Sequence, residues 1–330
     1  MRPQLKTNGN LRSAALLGLA LLASSCSSNP GRLTGPGGTG KHLVVFSTDR
    51  GAATGQFKLV LYDLDALAFR TMKNLAVPGA TPMLNPIFSS DGLLIAFQSE
   101  TGGAGNDDIY IYGRSAAAMI ATPGLNTDSS ETEPAFTGDI QKLLFVRKWN
   151  GYRHIRVYDP VIDSVLVPSG LDTLATYDDW SPSPDRTGAR FAFVSNRNGN
   201  PDIFVYNSGT LMNIPELRSA GSDIEPSLTP DGRWLCFASD RAGGAGLFDL
   251  YLYDLSNSVM VTLAPTVNTA MNERRPSIGA AGTVISFQSD RVGGFGLWDI
   301  WNYRRSDGSV GQGAGQESTA NDVGPSLYWP

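Results

Sequence analysis

The alternation of hydrophobic and polar positions in residues 225–254 predicts three β-strands joined by a tight turn and a loop. The first strand begins near Pro226. The tripeptide Pro230-Asp231-Gly232 then fits a tight turn, because proline presets φ and glycine tolerates positive φ. Residues 234–238 are apolar at every position, which indicates a strand covered on both faces, and residues 249–253 form the third strand.

Weaker copies of this unit recur along the chain. Aligned on the phenylalanine of the second strand, there are six copies: Phe46, Phe97, Phe145, Phe193, Phe237 and Phe287, spaced by 51, 48, 48, 44 and 50 residues. Aligned on the first-strand proline, there are again six: Pro86, Pro134, Trp180 (followed by Ser-Pro), Pro226, Pro276 and Pro325. Three or four short strands per period, without helices, are typical of a β-propeller.

The two sets of six are out of phase. Phe46 has no first strand before it, and Pro325 has no second strand after it. The two incomplete ends complete each other if the last strand joins the first blade. We therefore predict an all-β protein, a six-bladed β-propeller that covers residues 41–330 and is closed by insertion of the C-terminal strand into the N-terminal blade.

The repeated pattern resembles the WD40-like PD40 repeats of the TolB-type propeller family. The best copy consists of Pro226-Ser227, residues 230–232, Phe237 to Arg241 and Asp249-Leu250-Tyr251; weaker copies include Ser90-Asp91-Gly92 and Ser289-Asp290-Arg291. The resemblance implies the propeller fold, but it says little about activity, because one fold hosts many functions. TolB itself carries an α/β domain before its propeller, where this chain has a glycine-rich segment, so we do not expect TolB itself.

The N-terminus has the pattern of a secretory signal peptide. Arg2, Lys6 and Arg12 precede an apolar run at residues 14–23 that is too short to remain as a membrane span. Residues 22–26 resemble a bacterial lipobox; the alternative is a secreted protein cleaved nearby. We predict a signal peptide at residues 1–25, then lipidated Cys26 and a flexible tether at residues 26–40. The protein would be exported and lipid-anchored in the outer membrane, facing the periplasm.

The net charge bears on which partners the protein can bind, and the cysteine content bears on whether it has a disulfide. The chain has 26 Lys and Arg against 31 Asp and Glu, a net charge of −5. Removing the three signal-peptide cations leaves 23 against 31, or about −8, which disfavours nucleic acid as a partner. The two cysteines are Cys26 and Cys236. Because Cys236 lies in an apolar strand, we expect a buried thiol and no disulfide.

The residue types needed for catalysis do not converge in one copy of the repeat. Pairs of Asp or Asn with Arg follow the second strand in several copies: Asp49-Arg50, Asn196-Arg197, Asp240-Arg241 and Asp290-Arg291. A feature repeated in most blades does not mark one active site, so we interpret the pairs as a hydrogen-bonded brace between blades. The histidines are His42 and His154, in distant copies, and no nucleophile elbow is present. We expect no enzymatic activity and no cofactor; the alternative is a bound calcium ion.

Acidic residues precede the first strands, which line the channel of a propeller. They are Glu131, Glu133, Asp178, Asp179, Asp223, Glu225, Glu273 and Asp322. We interpret Glu133, Asp179 and Glu225 as equivalent positions of three successive blades. With Asp178, Asp223 and Glu273 they would form an acidic mouth that binds a divalent cation or a basic peptide. The alternative is that these acids solvate loops and accept backbone hydrogen bonds.

The third copy departs most from the repeat. It contains a basic and aromatic cluster, Arg147, Lys148, Trp149, Tyr152 and Arg153, of a composition enriched at partner-binding surfaces. The alternative is a blade that has simply diverged. Together these features predict a monomeric envelope lipoprotein that binds a protein or glycan partner in the periplasm or at the cell surface. The other function considered is a carbohydrate- or peptide-active enzyme that uses the acids at the channel mouth.

Overall fold

The structure, a computed structural model, describes residues 42–51, 56–75, 82–100, 106–171, 175–312 and 319–328. Over these residues it is a ring of six antiparallel four-stranded sheets, which confirms the predicted six-bladed propeller. In chain order the strands are β1 (Leu43–Thr48), β2 (Lys58–Asp63), β3 (Ala68–Arg70), β4 (Met83–Phe88), β5 (Leu94–Glu100), β6 (Asp107–Gly113), β7 (Ala118–Ile120), β8 (Glu131–Phe136), β9 (Leu143–Trp149), β10 (Tyr152–Asp159), β11 (Ser164–Leu166), β12 (Asp179–Pro184), β13 (Arg190–Ser195), β14 (Asp202–Asn207), β15 (Thr210–Met212), β16 (Asp223–Leu228), β17 (Trp234–Ser239), β18 (Asp249–Asp254), β19 (Val259–Val261), β20 (Glu273–Ile278), β21 (Val284–Ser289), β22 (Asp299–Arg304), β23 (Val310–Gly311) and β24 (Asp322–Tyr328). A 3₁₀ helix at Pro215–Leu217 precedes β16.

The C-terminal strand closes the ring, as predicted. Blade 1 has the order β24-β1-β2-β3, and β24 pairs antiparallel with β1, so that Leu43 lies opposite Tyr328 and Thr48 lies opposite Asp322. Blades 2 to 6 each take four consecutive strands, from β4–β7 to β20–β23. The first strand of each blade lines the channel and contacts the first strands of its neighbours.

The hydrophobic core is divided among the six blade interfaces. Second strands such as β1 and β21 are buried at every position, because a neighbouring blade packs on each face. The cluster between blades 4 and 5 holds ten buried residues, including Leu235 and Phe237. The cluster that joins blade 6 to blade 1 holds four: Val44, Phe46, Tyr62 and Ile300. The seam of the ring is therefore the interface with the smallest apolar cluster among the described residues.

Serine side chains link neighbouring first strands by hydrogen bonds. The serine after the first-strand proline accepts from a backbone N–H of the next blade at 2.8–3.0 Å; the pairs are Ser183 with Leu228, Ser227 with Ile278, Ser277 with Leu327, and Ser326 with Phe88. Blades 2 and 3 have Ile87 and Ala135 at this position. This link explains the serine of the repeated Pro-Ser pair.

The two faces of the ring follow from the strand directions. Each first strand starts at one end of the channel, and the second strand returns to that end, as the pairing of Asp223 with Ser239 shows. The loops between second and third strands therefore lie at the end where first strands begin, which we name the mouth face. The turns between third and fourth strands lie on the opposite face.

Candidate binding site at the channel mouth

Five arginines hold the acidic residues that begin the first strands. The pairs are Arg50–Asp322, Arg147–Glu131, Arg197–Asp179, Arg241–Asp223 and Arg291–Glu273, with N–O distances of 2.5–3.2 Å. The acids are at most 4 % exposed. Each guanidinium also covers aromatic rings of its own blade, as Arg241 does with Phe237 and Tyr251. The predicted brace exists, but each ion pair joins strands of one blade and not two blades.

This brace removes three acids from the predicted binding site. Asp179, Asp223 and Glu273 lie three residues before the first-strand proline, where the side chain turns toward the second strand of its own blade and meets the arginine. They are buried and already paired, so the expectation that they line an open acidic mouth is wrong. Asp178 lies at the rim, where it accepts hydrogen bonds from the backbone N–H of Arg153 at 2.7 Å and from its guanidinium at 3.2 Å.

A left-handed residue precedes the proline in every first strand. The six are Asn85, Glu133, Ser181, Glu225, Arg275 and Gly324, with φ between +48° and +61°. Strand pairing shifts register at each of these positions, as expected for a β-bulge that interrupts the alternation of side chains. These residues and the prolines that follow them ring the mouth.

The register corrects the predicted equivalence of Asp179 with Glu133 and Glu225. Ser181 holds that position in blade 4, and Pro182, not Trp180, is the first-strand proline. The pair Pro184-Asp185 resembles the Pro-Asp of the turn in blade 5. The backbone N–H of Asp185 bonds to Arg190 O at 2.8 Å, just as the N–H of Thr229 bonds to Trp234 O in blade 5. Asp185 is therefore the counterpart of Thr229, and the turn of blade 4 lies two residues later than the Pro-Asp pair suggests.

The mouth forms a cavity of about 450 Å³. The charged residues that line it are Glu133, Glu225, Arg153, Arg274 and Arg275. Three arginines against two glutamates give a lining of net charge +1, which contradicts the expected ring of acids. Arg274 donates to Glu225 at 2.8 and 3.4 Å and covers the ring of Phe248, while Arg153 covers Trp180 with 4.0 Å from its guanidinium carbon to the ring centre.

Glu133 is the mouth acid whose environment is most unusual. Its Oε2 accepts hydrogen bonds from the backbone N–H of Ser181 at 2.6 Å and from the Ser181 hydroxyl at 3.1 Å, which ties blade 3 to blade 4. Burial in the channel raises the pKa of Glu133 above its ordinary value, although these hydrogen bonds oppose the shift. The fold therefore disfavours the ionised form of this carboxyl group.

No metal centre is found among the described residues. No group of three or more His, Cys, Asp or Glu side chains there could hold an ion. Glu133 and Glu225 are engaged with Ser181 and Arg274, and Asp179 is paired with Arg197 in the brace. The suggested calcium site at Glu133, Asp179 and Glu225 thus has no support in the geometry.

The predicted blade-three cluster is split by its hairpin. Strands β9 and β10 are joined by Asn150 and Gly151, both with positive φ, as a two-residue hairpin turn requires. Arg147 points inward to its brace, whereas Lys148 and Trp149 are exposed on the mouth face. Tyr152 is half-buried opposite Trp149. Arg153 lines the cavity, so the cluster contributes a basic side chain to the mouth and an aromatic one to its rim.

The mouth face also has an apolar part, which the repeat pattern does not predict. The loops before β18 and β22 expose Leu247, Val292, Phe295 and Leu297, from 58 % to 93 %. In each loop, one aspartate oxygen accepts two backbone N–H bonds: Asp249 from Ala245 and Gly246, and Asp299 from Phe295 and Gly296. The signal was a leucine at the same place in two glycine-rich loops, Gly-Gly-Ala-Gly-Leu and Gly-Gly-Phe-Gly-Leu.

Cys236 is a free, fully buried cysteine, and burial raises the pKa of its thiol, as expected for an inert residue. The predicted signal peptide, Cys26 and the tether lie outside the described residues. Within the described part of the chain, none of the helical structure has the length and hydrophobicity of a membrane span.

Comparisons with known proteins identify the fold. No protein-family model matches the chain, and no curated protein matches it. Among solved structures, TolB from Acinetobacter baumannii is similar with a TM-score of 0.63 and 19 % identity, over 98 % of this chain and 74 % of the other. A TolB-type protein from Agrobacterium tumefaciens has a TM-score of 0.55 and 15 % identity, over 88 % and 99 %. A puromycin-hydrolysing peptidase from Mycobacterium tuberculosis has 0.54 and 15 %, over 87 % of this chain and 46 % of the peptidase. At these identities the likeness concerns fold, and the chain has the fold of the TolB-type six-bladed β-propeller.

Proposed function

We propose that this protein is a non-catalytic binding protein whose mouth face engages a protein partner in the bacterial envelope. One observation carries the proposal: a charged cavity of about 450 Å³ and four strongly exposed apolar side chains lie on the same face of the ring. The cavity volume is within the range of about 300–1,000 Å³ that is typical of ligand sites.

The chemistry of the face favours a protein over a glycan. Aliphatic side chains such as Leu247 and Leu297 offer a sugar few hydrogen bonds, whereas protein interfaces have apolar centres that include aromatic and arginine side chains. Leu247 also adjoins Phe248, whose ring lies against Arg274 of the cavity. The apolar loop before β18 and the charged mouth are therefore continuous.

The loops are rigid enough to bind without a large loss of entropy. Asp249 and Asp299 fix their backbones, and a side chain at Gly244 or Gly294 would collide with these carboxylates, at 2.0 and 2.2 Å from a Cβ. A preorganised loop loses little conformational freedom when a partner arrives. Exposed leucines held on such loops are a surface prepared for contact.

We place the protein at the outer membrane, facing the periplasm, on the strength of the signal peptide and Cys26. Cys26→Ser should release the protein into the soluble periplasmic fraction, because the acyl chains carry the anchor. Wild-type protein that is already soluble after detergent-free lysis would contradict the anchor.

A second candidate, an enzyme acting on peptides or carbohydrates, is favoured by one observation. The raised pKa of Glu133 is a property of general acids. Hydrolysis of peptide or polysaccharide substrates by the wild-type chain, lost in Glu133→Gln, would support this function and contradict the non-catalytic one.

The proposed function is tested by photo-crosslinking in cells. We place p-benzoylphenylalanine at Phe295 on the mouth face or, as a matched control, at Ile162 in the turn between β10 and β11 on the opposite face; the two are equally exposed, at 58 % and 59 %. We expect crosslinks to one envelope protein from Phe295 and none from Ile162. Equal crosslinking at both positions, or none at Phe295, would contradict the proposal. Crosslinks from Phe295 to a glycan or to a second copy of this chain would show that the mouth face binds that molecule and not another envelope protein.

A further inference from the structure

The side chain of Arg275 crosses the mouth from blade 6 to blade 2. Its Nη1 donates to Asn85 Oδ1 at 2.6 Å. Blade 1 lies between these two blades, and its residue at this level is Gly324, where a Cβ would be 3.1 Å from Nη1 of Arg275. Five other left-handed positions of the ring accept side chains, so positive φ alone does not demand glycine here. The absence of a side chain at Gly324 leaves room for the guanidinium.

The guanidinium of Arg275 retains most of its hydrogen-bonding capacity. Of its five N–H donors, one makes a hydrogen bond within the described residues, and the side chain is 39 % exposed to the cavity. Glu225 lies 3.6 Å from Arg275 Nε, but its carboxylate already receives two hydrogen bonds from Arg274 and one from the backbone of Arg275. Glu225 therefore neutralises Arg274 more completely than Arg275.

The backbone N–H of Asn85 belongs to the residue whose side chain holds this guanidinium. The N–H of a left-handed mouth residue donates to a side chain of the preceding blade in four blades; the acceptors are Gln98 for Glu133, Glu133 for Ser181, Glu225 for Arg275 and Gln288 for Gly324. The blade that precedes Asn85 is blade 1. There, Gly324 stands where the other blades have Glu133 or Glu225, and Ser47 stands where they have Gln98 or Gln288. No side chain among the described residues accepts from the N–H of Asn85, whose side chain holds Arg275.

We propose that the mouth binds a carboxylate of the protein partner above Gly324, between the guanidinium of Arg275 and the backbone N–H of Asn85. Planar guanidinium groups bind carboxylates through paired, charge-assisted hydrogen bonds. Arg274 is paired with Glu225 and Arg153 with Asp178, so Arg275 supplies the one uncompensated positive charge of the lining, which matches one carboxylate better than a doubly charged phosphate. The proposal rests on the proposed function and names the group that the mouth receives.

The test uses peptides selected on the full chain. A phage-displayed library of random peptides of about twelve residues is selected against the protein, and the enriched sequences are synthesised. We expect each to carry an Asp, a Glu or a free C-terminus that is required for binding. Asn or Gln in place of the acid tests the side chain, and amidation tests the C-terminus. Loss of the required carboxylate should weaken binding about tenfold to a hundredfold, as for a charge-assisted hydrogen bond.

The matching change in the protein removes the guanidinium of Arg275. Arg275→Gln should weaken the same peptide by the same factor, and the two changes combined should cause little further loss. Arg304→Gln is the matched control, since Arg304 is exposed at the end of β22 in the same blade but on the opposite face. Gly324→Ala is a second variant, which crowds Arg275 without removing it and should weaken binding in a protein that still melts cooperatively.

Two results would overturn the inference in distinguishable ways. Peptides that crosslink to the mouth face but bind Arg275→Gln and Gly324→Ala as tightly as wild type would refute the carboxylate site and leave the proposed function intact. If the library yields no binder, or only peptides that crosslink to position 162, both the inference and the mouth-face function fail.

Discussion

At the scale of single residues, the arginine brace explains why so many charges are buried in this fold. A buried ion pair is worth little by itself, because two charges lose their hydration, but loss of one partner leaves the other uncompensated. The brace also satisfies the backbone between blades: Arg241 donates to Glu216 O at 3.1 Å, and Arg291 donates to Thr266 O at 3.2 Å. Arg241 and Arg291 thus each fix both a strand and the loop beside it.

We expect Arg241→Met to lower the free energy of unfolding by about 3–5 kcal/mol, because the carboxylate of Asp223 stays buried without its partner. The double variant Arg241→Met, Asp223→Leu should recover most of the loss. Arg304→Met, an exposed control, should change stability little. Denaturant unfolding measures all three, and a double variant no more stable than Arg241→Met would contradict the uncompensated-charge explanation.

Asp254 should make stability depend on pH in the acid range. The hydrogen bond from Arg233 lowers the pKa of Asp254, and the N–H groups of Ser256 and Asn257 lower it further. Burial opposes these contacts, and the resulting pKa is about 2. A folded pKa below the unfolded value adds stability above about pH 4, which is lost as the pH falls toward 2. The melting temperature of Asp254→Asn should therefore lie below that of wild type at pH 7 and approach it at pH 2.

The residues of the mouth could be predicted from the sequence only in part. Glu133 and Glu225 line the cavity, and the signal is that each directly precedes a first-strand proline. Asp179 lies elsewhere because the first-strand proline of blade 4 is Pro182 and not Trp180: Pro182 precedes Phe193 by 11 residues, as Pro226 precedes Phe237. The role of Arg275 could not be foreseen, because it depends on Gly324, which is distant in sequence.

At the scale of elements, β24 holds the seam of the ring. It pairs with β1 along its length, receives the N–H of Phe88 at Ser326, and donates from Leu327 to Ser277. Asp322 also supplies the acid of the blade-one brace. Of these links, the bond from Leu327 to Ser277 crosses the interface between blades 6 and 1, where the apolar cluster is smallest.

Deletion of residues 322–330 should abolish cooperative unfolding and promote aggregation, because β1 would become an unpaired strand edge. The shorter deletion of residues 329–330 leaves β24 whole and serves as the control. Thermal melting and light scattering measure the outcome. A longer deletion that melts like the control would show that ring closure does not depend on β24.

The hairpins and turns could be predicted where local chemistry decides them. Gly232 has a φ of +70° and its N–H bonds to Thr229 O at 2.8 Å, as the Pro-Asp-Gly signature implied. The apolar run at 234–238 is buried as expected, apart from Trp234, which is half-buried at its start. The exposed leucines of the Gly-rich loops were not foreseen, since exposure depends on how Asp249 and Asp299 hold those loops.

At the scale of the whole molecule, the repeat predicted the ring, the number of blades and its closure. Six apolar second strands require six sheets that pack face to face. Because the first blade lacks a first strand at the N-terminus and an extra first strand follows the last blade, β24 completes blade 1. The polarity of the mouth could not be predicted in this way. Acids are frequent before the first strands, but the brace buries five of them and leaves the arginines of blades 3 and 6 facing the cavity.

The central claim, that the mouth face binds a protein partner, is tested most directly by hydrogen–deuterium exchange of the full chain with and without the crosslinked partner. The account predicts slower exchange in the loops at residues 242–248 and 292–298 and in the hairpin at residues 149–153, with no change in the turn at residues 160–163. Protection confined to the opposite face, or an exchange profile that the partner leaves unchanged, would contradict it.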